Sequence, residues 1–494
     1  MSEVASPTER PSEPSGEGDR GTRRAGGPAP LGRGAVLAWA AWDWGSAAFN
    51  AVITTFVFTR WITSDAFVDP AVVEAADREA AAGTEGAATA TLEAVLADHA
   101  AWLGWGLTVA GVLIALLAPL TGSQVDRTGR RTVRLASFTG VTVLLCAAMA
   151  LVRPDPEALS AWVVVGITLL ALANLTFELA SVTYNGMLPL VASPAALGRV
   201  SGIGWGAGYL GGIVLLLALF VGFINPEVGL FGVTKEGGAD VRAAVLASAL
   251  WFAVFAVPVL LVVRDRPRPG PAPARTGLVA AYRRLGADVG HLWRTDRPLL
   301  GYLAASAVYR DGLAGVFTFG AVIASGTFGF SASEVVVFAI AANVVAGVAT
   351  VLGGLLDDRV GARAVVVASL VGLVLAGVAV FVLHDQGPAA FWVAGLLLCV
   401  FVGPAQSASR SLLTRLAPPG RTTEVFGLYA TTGRAASFLA PLAFSLCVSL
   451  SGSQHWGILG IIAVIGLGLG LLLPLPLRAR LSRGTGSAGA ASSR

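Results

Sequence analysis

The sequence carries little charge for its length. Charged residues make up 13% of the 494 residues and hydrophobic residues 55%, whereas a soluble domain has roughly 25% charged residues. The mean hydropathy is +0.73. A chain of this polarity cannot bury its apolar surface in one core, so lipid must solvate most of it. The composition therefore excludes an ordinary soluble fold.

Cysteine and histidine are also scarce. The three cysteines, Cys146, Cys399 and Cys447, all lie inside apolar runs and have no ligand-like spacing. We interpret them as small core residues, because neither a disulfide framework nor a zinc site has this pattern. The four histidines lie in loops or at the ends of apolar runs, so a histidine proton relay has little support. We expect neither a metal nor a cofactor.

The sequence also lacks the motifs of ATP-driven and catalytic proteins. It has no phosphate-binding glycine-rich loop followed by Lys and Ser or Thr, which argues against transport driven by nucleotide hydrolysis. No nucleophile and base share a predicted helical face. We therefore predict that the protein is not an enzyme.

Long apolar runs are abundant. A membrane span needs about 20 mainly apolar residues, and β-barrel spans would alternate apolar and polar residues instead. We predict an all-α membrane protein whose twelve transmembrane helices form two pseudo-symmetric six-helix bundles. The predicted spans are 35–58, 102–121, 132–152, 161–189, 201–223, 242–263, 298–324, 332–356, 364–384, 389–414, 422–450 and 456–477.

The composition of the remaining segments sets the predicted domains. Residues 1–34 and 478–494 are rich in Gly, Pro, Ser and Arg and are predicted to be disordered cytoplasmic tails. The bundles cover 35–263 and 298–477. A cytoplasmic linker, 264–297, joins them and is expected to contain a surface helix near Tyr-Arg-Arg-Leu.

Basic residues predict the orientation. The loops and tails on the side of both termini hold most of the 34 Lys and Arg. By the positive-inside rule both termini are predicted to be cytoplasmic, and the acidic loop 59–101 is predicted to be external. The net charge of +4 therefore indicates topology and not nucleic-acid binding. Arg-rich, Lys-poor usage favours a bacterial cell (inner) membrane, and we expect a monomer.

One loop motif occurs twice. Gly-x-x-x-Asp-Arg-x-Gly-x-Arg begins at Gly122 and again at Gly354, 232 residues later, between apolar runs each time. Internal repeats of this kind are the usual construction of a secondary transporter. We predict a gating role for the two loops; the alternative is that their charges only enforce topology. The predicted gating residues are Gly122, Asp126, Arg127, Gly129, Arg130, Gly354, Asp358, Arg359, Gly361 and Arg363.

Polar residues recur inside the predicted spans. A charge at the centre of a membrane helix costs about 2.5–3.5 kcal/mol on a translocon scale, so such groups normally face a partner or a water-filled cavity. Several share one helical face, and spans one, four, seven and ten each carry a charge. The predicted substrate-binding or coupling residues are Asp43, Asn50, Asn174, Glu178, Asn185, Arg310, Asp311, Gln406, Arg410 and Arg434.

The repeat offset predicts how two of these charges are related. Adding 232 to Glu178 gives Arg410, so pseudo-symmetry predicts that they lie opposite each other as a salt bridge between the halves, as a substrate clamp, or as both in turn. The alternative is a permanent ion pair that fixes helix packing.

Span five is rich in glycine. Gly202 and Gly206, like Gly208 and Gly212, have the spacing that allows two membrane helices to approach closely. A packing seam and a rocking hinge are both consistent with this pattern.

These motifs resemble the major facilitator superfamily, and more narrowly its vacuole amino-acid effluxer-like branch, the autophagy-related permeases. The resemblance rests on the doubled loop and on five segments spread over both halves. The segments are Ala41-Trp-Asp-Trp-Gly-Ser-Ala-Ala-Phe-Asn, Phe177-Glu-Leu-Ala-Ser-Val-Thr-Tyr-Asn, Gly198-Arg-Val-Ser-Gly-Ile-Gly-Trp-Gly, Gly326-Thr-Phe-Gly and Gln406-Ser-Ala-Ser-Arg-Ser-Leu. Trp42 stands where the branch usually has Tyr, and Arg310 where it often has Asn.

The resemblance implies the major facilitator fold and a secondary active transporter that works by rocker-switch alternating access. It suggests efflux of amino acids or similar zwitterions. Proton coupling through Glu178 or Asp311 is a hypothesis. It also implies that Asp126 docks on the start of span eleven and Asp358 on the start of span five. The alternatives are an exporter of amphipathic drugs and a membrane receptor or scaffold that transports nothing.

Overall fold

We analysed a computed structural model of the chain and describe residues 32–84, 86–265 and 278–477. The predicted C-terminal tail and all but the last three residues of the predicted N-terminal tail lie outside the described residues.

Twelve helical segments follow one another as antiparallel spans, which we number α1 to α12. They are α1 (Arg33–Ala47), α2 (Ala87–Thr128), α3 (Arg131–Met149), α4 (Leu159–Gly186), α5 (Leu197–Leu219), α6 (Ala239–Val262), α7 (Arg297–Gly326), α8 (Ala332–Val360), α9 (Ala362–Val382), α10 (Pro388–Leu416), α11 (Thr422–Ala436 and Leu439–Ser451) and α12 (Gly457–Leu472). We call the side on which α1 begins and α12 ends the terminal side.

Eleven of the helices are long and apolar enough to cross a membrane within the described residues. The first span is not among them because its helix is not continuous: α1 passes into a π-helix, Ala48–Phe56, and then a short helix, Phe58–Ile62. The hydroxyls of Thr54 and Thr55 both donate to the Asn50 carbonyl, at 2.6 and 2.8 Å. With this span included, the prediction of twelve spans in two halves is confirmed.

Two large clusters of buried apolar side chains correspond to the two halves. The first draws its buried residues from α1 and α3 to α6 and includes Trp42, whose ring stacks on Tyr184 with the ring centroids 4.2 Å apart. The second is built mainly from α7 and α9 to α12, with a few residues of α2 and α4 added. The halves are therefore separate cores that meet along α2, α4, α5, α8 and α11.

The second span is much longer than predicted. The helix α2 has 42 residues, or about 63 Å at 1.5 Å per residue, roughly twice the hydrocarbon thickness of a bilayer. Its first turns are polar and pack against another helix, Pro70–Ala81. Hydropathy identified only the apolar part, 102–121, because the N-terminal extension lies outside the lipid. The predicted loop 59–101 is therefore largely a helical hairpin.

Glu79 holds this hairpin together. Its carboxylate accepts hydrogen bonds from the backbone N–H groups of Gly86, Ala88 and Thr89 and from the Thr89 hydroxyl, at 2.8–3.2 Å. These donors are the free N–H groups at the start of α2. The hydrogen bonds from Thr89 hold the pKa of Glu79 below its ordinary value.

We expect Glu79→Gln to loosen the hairpin at neutral pH. Because the folded-state pKa is depressed, the contribution of Glu79 to stability is present above the ordinary glutamate pKa and is lost as pH falls through the folded value. Hydrogen exchange of the Ala88 and Thr89 amides should therefore accelerate on acidification in the wild type and be fast at all pH values in the variant. Glu93→Gln, an exposed substitution on the same hairpin, is the control, and equal exchange in both variants would contradict the assignment.

The eleventh span is broken near its middle. Its two halves end and begin around Ser437 and Phe438. Pro441 has no N–H to offer the Ser437 carbonyl, and the Ala440 N–H donates instead to Asp311 Oδ2 of α7, at 2.6 Å. The prediction of one continuous helix over 422–450 was wrong, although Pro441 was a visible signal.

A further helix, Leu278–Thr295, precedes α7 within the predicted linker. The rest of the linker, residues 266–277, lies outside the described residues.

Candidate functional site

The first copy of the repeated loop contacts the start of α11. The Glu424 backbone N–H donates to Asp126 Oδ2 at 2.8 Å, and Arg131 Nη2 donates to Asp126 Oδ1 at 2.7 Å. Arg131 Nε also reaches the Thr423 hydroxyl, at 3.3 Å. A buried carboxylate thus lies at the positive end of a helix dipole, with a guanidinium beside it. The motif contained Arg131, but sequence reasoning did not assign it a role.

The second copy makes the equivalent contact with the start of α5. The N–H groups of Gly198 and Arg199 donate to the two Asp358 oxygens, at 2.8 and 3.1 Å. Asp126 and Asp358 differ by 232 residues, while Arg199 and Glu424 differ by 225. We call these two contacts the terminal-side latches.

Glycines bring the helices of each latch into backbone contact. A Cβ at Gly202 would lie 2.8 Å from the Thr350 carbonyl oxygen, and one at Gly427 only 2.5 Å from that of Ala118. Thr350 and Ala118 are again 232 residues apart. The α5–α8 and α2–α11 crossings are therefore two copies of one packing arrangement, and neither has room for a side chain.

The remaining motif residues shape the loops. Gly129 and Gly361 have φ of 68° and 90°, a backbone conformation that glycine adopts without strain. Arg363 Nη2 donates to the Leu473 carbonyl at 2.7 Å. The structure brings none of Arg127, Arg130 and Arg359 into the latch contacts described above; Arg130 and Arg359 are exposed and Arg127 is partly exposed.

The two latches differ at one position. Asp357, which corresponds to Val125 in the first half, is 1% exposed. It accepts a hydrogen bond from Arg415 Nη1 at 2.5 Å and another from the Ser411 hydroxyl, and Arg415 Nη2 also lies 3.7 Å from Asp358. Sequence reasoning missed this clamp. Its signal was a second carboxylate next to the motif aspartate.

Above the latches, Arg410 of α10 is inserted into the first half. Its Nη1 donates to Asp43 Oδ2 and to Asn185 Oδ1, both at 3.1 Å. Its Nε donates to the Ser201 hydroxyl at 2.9 Å and its Nη2 to the Ser201 carbonyl at 2.6 Å. The Arg410 side chain is only 3% exposed. Such a pair is tolerated in a low-dielectric interior only when further hydrogen bonds satisfy the charged groups, and Arg410 has them.

Aromatic rings surround the same guanidinium. The Arg410 Cζ lies 4.8 Å from the Trp39 ring centroid and 5.0 Å from that of Trp205. The Tyr184 hydroxyl donates to Asp43 Oδ2 at 3.0 Å. Asp43, Asn185 and Arg410, three predicted site residues, are therefore brought together as a closed contact between the halves.

A second ion pair joins the halves in a more open setting. Arg434 Nη2 of α11 lies 3.2 Å from Glu178 Oε2 of α4 and 3.5 Å from Asn174 Oδ1. The Arg434 side chain is 33% exposed and that of Glu178 22%. This pair unites three more predicted residues, and it is accessible where the Asp43–Arg410 pair is not.

The expected pairing of Glu178 with Arg410 was wrong. Within the described residues, Glu178 pairs with Arg434 and Arg410 with Asp43. The pseudo-two-fold axis exchanges α4 with α10 and α5 with α11. Since α4 faces α11, its counterpart α10 faces α5, and equivalent residues on α4 and α10 do not meet.

The last four predicted residues have separate neighbours. The Arg310 Cζ lies 3.7 Å from the Tyr429 ring centroid, and Nη1 donates to the Tyr429 carbonyl at 3.1 Å. Asp311 caps the second half of α11, as described above. Gln406 Nε2 lies 3.5 Å from the Tyr209 hydroxyl. Asn50 is exposed in the π-helix, and the structure does not bring it to the other residues.

All these contacts between the halves lie on the terminal side. The deepest is the hydrogen bond from the Thr431 hydroxyl to the Ala115 carbonyl, at 2.9 Å, and Ala115 is 13 residues from the end of α2, or about 20 Å. Pro119 leaves that carbonyl without its helical donor. The structure is therefore closed on its terminal side.

Comparison with known families identifies relatives over nearly the whole chain. Residues 32–483 match the family described as "Vacuole effluxer Atg22 like". The uncharacterized MFS-type transporter YxiO of Bacillus subtilis (strain 168) is 23% identical over 431 residues, which cover 87% of this chain and 92% of that protein. Autophagy-related protein 22 of Cryptococcus neoformans var. neoformans serotype D (strain B-3501A) is 26% identical over 306 residues, 57% of this chain and 52% of that protein.

Solved structures share the architecture. The proton:xylose symporter XylE superposes with a TM-score of 0.62 at 14% identity, covering 89% of this chain and 93% of that one. A bacterial homologue of the iron transporter ferroportin, in an outward-facing state, superposes with a TM-score of 0.60 at 16% identity, covering 90% and 98%. At these identities the likeness shows the fold alone.

Proposed function

Because the chain belongs to the Atg22-like vacuole effluxer family and is a multi-pass membrane transporter of the major facilitator fold, we propose that it carries a small zwitterionic solute, such as an amino acid, outward by alternating access. The partly exposed pair of Glu178 and Arg434 is the observation that carries this proposal.

A zwitterion can replace each member of this pair for the other. Its ammonium group would take the position of Arg434 beside Glu178, and its carboxylate that of Glu178 beside Arg434. Arg434 lies 12 residues after the start of α11, about 18 Å along the helix and so close to the bilayer midplane. Transporters of this construction bind their substrates at that depth, between the repeats.

The latches support the alternating mechanism. Asp126 and Asp358 each connect one half to a helix start of the other, so opening the terminal side must break both contacts. We assign the gating role to the two repeated loops on this basis. Positive-inside counting supports a cytoplasmic terminal side, and the structure would then be outward-facing. The bacterial inner membrane remains our proposed location, and the protein is proposed to act as a monomer.

Proton coupling is proposed to run through Glu178. Protonating this carboxylate would release Arg434, and the pair joins the two halves. We no longer place Asp311 in this role, since its carboxylate accepts the Ala440 N–H of a broken helix.

The proposal is tested by ligand-induced thermal stabilisation and by flux. Each common amino acid is screened against purified protein, and a stabilising one is then loaded into proteoliposomes for counterflow with and without a pH gradient. We expect Glu178→Gln and Arg434→Gln each to weaken binding about 10-fold to 100-fold, because a hydrogen bond to a charged group contributes about 1.5–3 kcal/mol. The variant Glu178→Gln should also lose any response to the pH gradient.

The exposed pair of Arg153 and Asp155, at 3.7 Å, offers a matched control, and Arg153→Gln should leave binding unchanged. Unaltered affinity in both Glu178→Gln and Arg434→Gln would remove the pair from the solute site. Stabilisation by amphipathic cations instead of amino acids would support the drug-exporter alternative, which the Trp39, Trp205 and Tyr184 rings favour. Saturable binding without counterflow would support a receptor.

A further inference from the structure

The helix Leu278–Thr295, which we call the linker helix, has two chemically different faces. Leu285, Val289 and Leu292 follow one another at helical spacing and pack against the core of the second half. Leu292 is only 4% exposed. The linker helix is therefore attached to the bundle along one side.

The neighbouring surface of the bundle is the part that faces lipid. The Tyr282 hydroxyl donates to the Leu116 carbonyl of α2 at 2.8 Å. At this level α2 presents Leu113 and Leu116, which are 37% and 47% exposed. Leu116 lies ten residues before Asp126, so Tyr282 reaches about 15 Å along α2 from the latch towards the membrane centre. The linker helix thus lies at the terminal-side boundary of the bilayer.

Its free face combines apolar and basic side chains. Val279 is 82% exposed and Trp293 62% exposed. Arg283 and Arg294 are exposed beside them on adjoining positions of the helical surface. An exposed tryptophan with flanking arginines is the composition of a helix that lies in a membrane interface, with the ring at headgroup level and the guanidinium groups on the phosphates.

We propose that the free face of the linker helix is a docking surface for the headgroups of anionic phospholipids in the terminal-side leaflet. Arg283 and Arg294 contact the lipid phosphate, while Val279 and Trp293 enter the boundary of the acyl chains. Basic residues near an anionic membrane surface each strengthen attachment about fivefold, so the two arginines together contribute roughly 25-fold.

The experiment measures the lipid retained by the full-length protein. Wild type and Arg283→Gln/Arg294→Gln are reconstituted in vesicles of phosphatidylcholine mixed with phosphatidylglycerol, extracted in mild detergent, and examined by native mass spectrometry. We expect the wild type to retain phosphatidylglycerol in preference to phosphatidylcholine and the double variant to lose that preference. Adding Trp293→Ala should reduce retention further.

The control is Arg33→Gln/Arg264→Gln, which removes the same charge from two exposed positions on the same side of the protein. It should retain phosphatidylglycerol like the wild type. Equal loss in both double variants would mean that general positive charge, and not the linker helix, attracts the lipid. No preference in the wild type would also overturn the proposal. Thermal unfolding of each variant in detergent shows that a loss of lipid does not come from misfolding.

Discussion

Replacing Arg410 with glutamine is expected to lower the free energy of unfolding by about 3–5 kcal/mol, since it leaves the carboxylate of Asp43 buried without its cation. Arg410 joins α10 of the second half to α1, α4 and α5 of the first through four hydrogen bonds. The loss should therefore weaken the association of the halves as well as the local packing. Denaturant titration of the protein in detergent micelles measures it.

Two further variants show whether the buried charge is responsible. Asp43→Asn/Arg410→Gln removes both charges and should be more stable than Arg410→Gln alone. Arg434→Gln makes the same substitution in the partly exposed pair, where a salt bridge contributes about 0–1 kcal/mol. If Arg410→Gln and Arg434→Gln were equally stable, the Asp43–Arg410 contact would not hold the halves together.

Placing leucine at Gly202 or Gly427 is expected to open the terminal side. No side chain fits there, because a Cβ would already lie 2.8 and 2.5 Å from facing carbonyl oxygens. Overpacking of this kind costs about 2 kcal/mol, or roughly a 30-fold shift in favour of the open arrangement. The same variants decide between a packing seam and a hinge.

Labelling of a cysteine placed at Ser407, a fully buried position whose carbonyl accepts the Ser201 hydroxyl, reports the opening. A water-soluble maleimide should react roughly 30-fold faster in the leucine variants, as the equilibrium shifts. Gly140→Leu is the matched control, because a Cβ at Gly140 meets no atom within 4 Å. Unchanged labelling in all three would show that these glycines only pack.

The doubled motif predicted a large part of this structure. The motif offset of 232 and the later offset of 225 are both visible in the sequence, and they account for both latches and both glycine crossings. Hydropathy identified the spans because the requirement for apolar length acts on each helix alone. Features that depend on one helix and the bilayer were therefore predictable.

Features that depend on which helices face each other were not. The offset correctly related Glu178 to Arg410, but sequence equivalence does not reveal that α4 faces α11 while α10 faces α5 and α1. The clamp of Asp357 and Arg415 has no counterpart in the first half, so the repeat could not reveal it. The extension of α2 depends on its packing against Pro70–Ala81, a contact that hydropathy does not measure.

The break in α11 separates two mechanical tasks. The first half of α11 belongs to the closed terminal side through Glu424 and Gly427, whereas the second half packs on α12. Since Asp311 already supplies the Ala440 N–H with an acceptor, the helical ladder need not be continuous through Ser437 and Phe438. The terminal-side segment can therefore tilt away from α2 without bending the segment beyond it, and α11 acts as two jointed levers and not as one rigid rod.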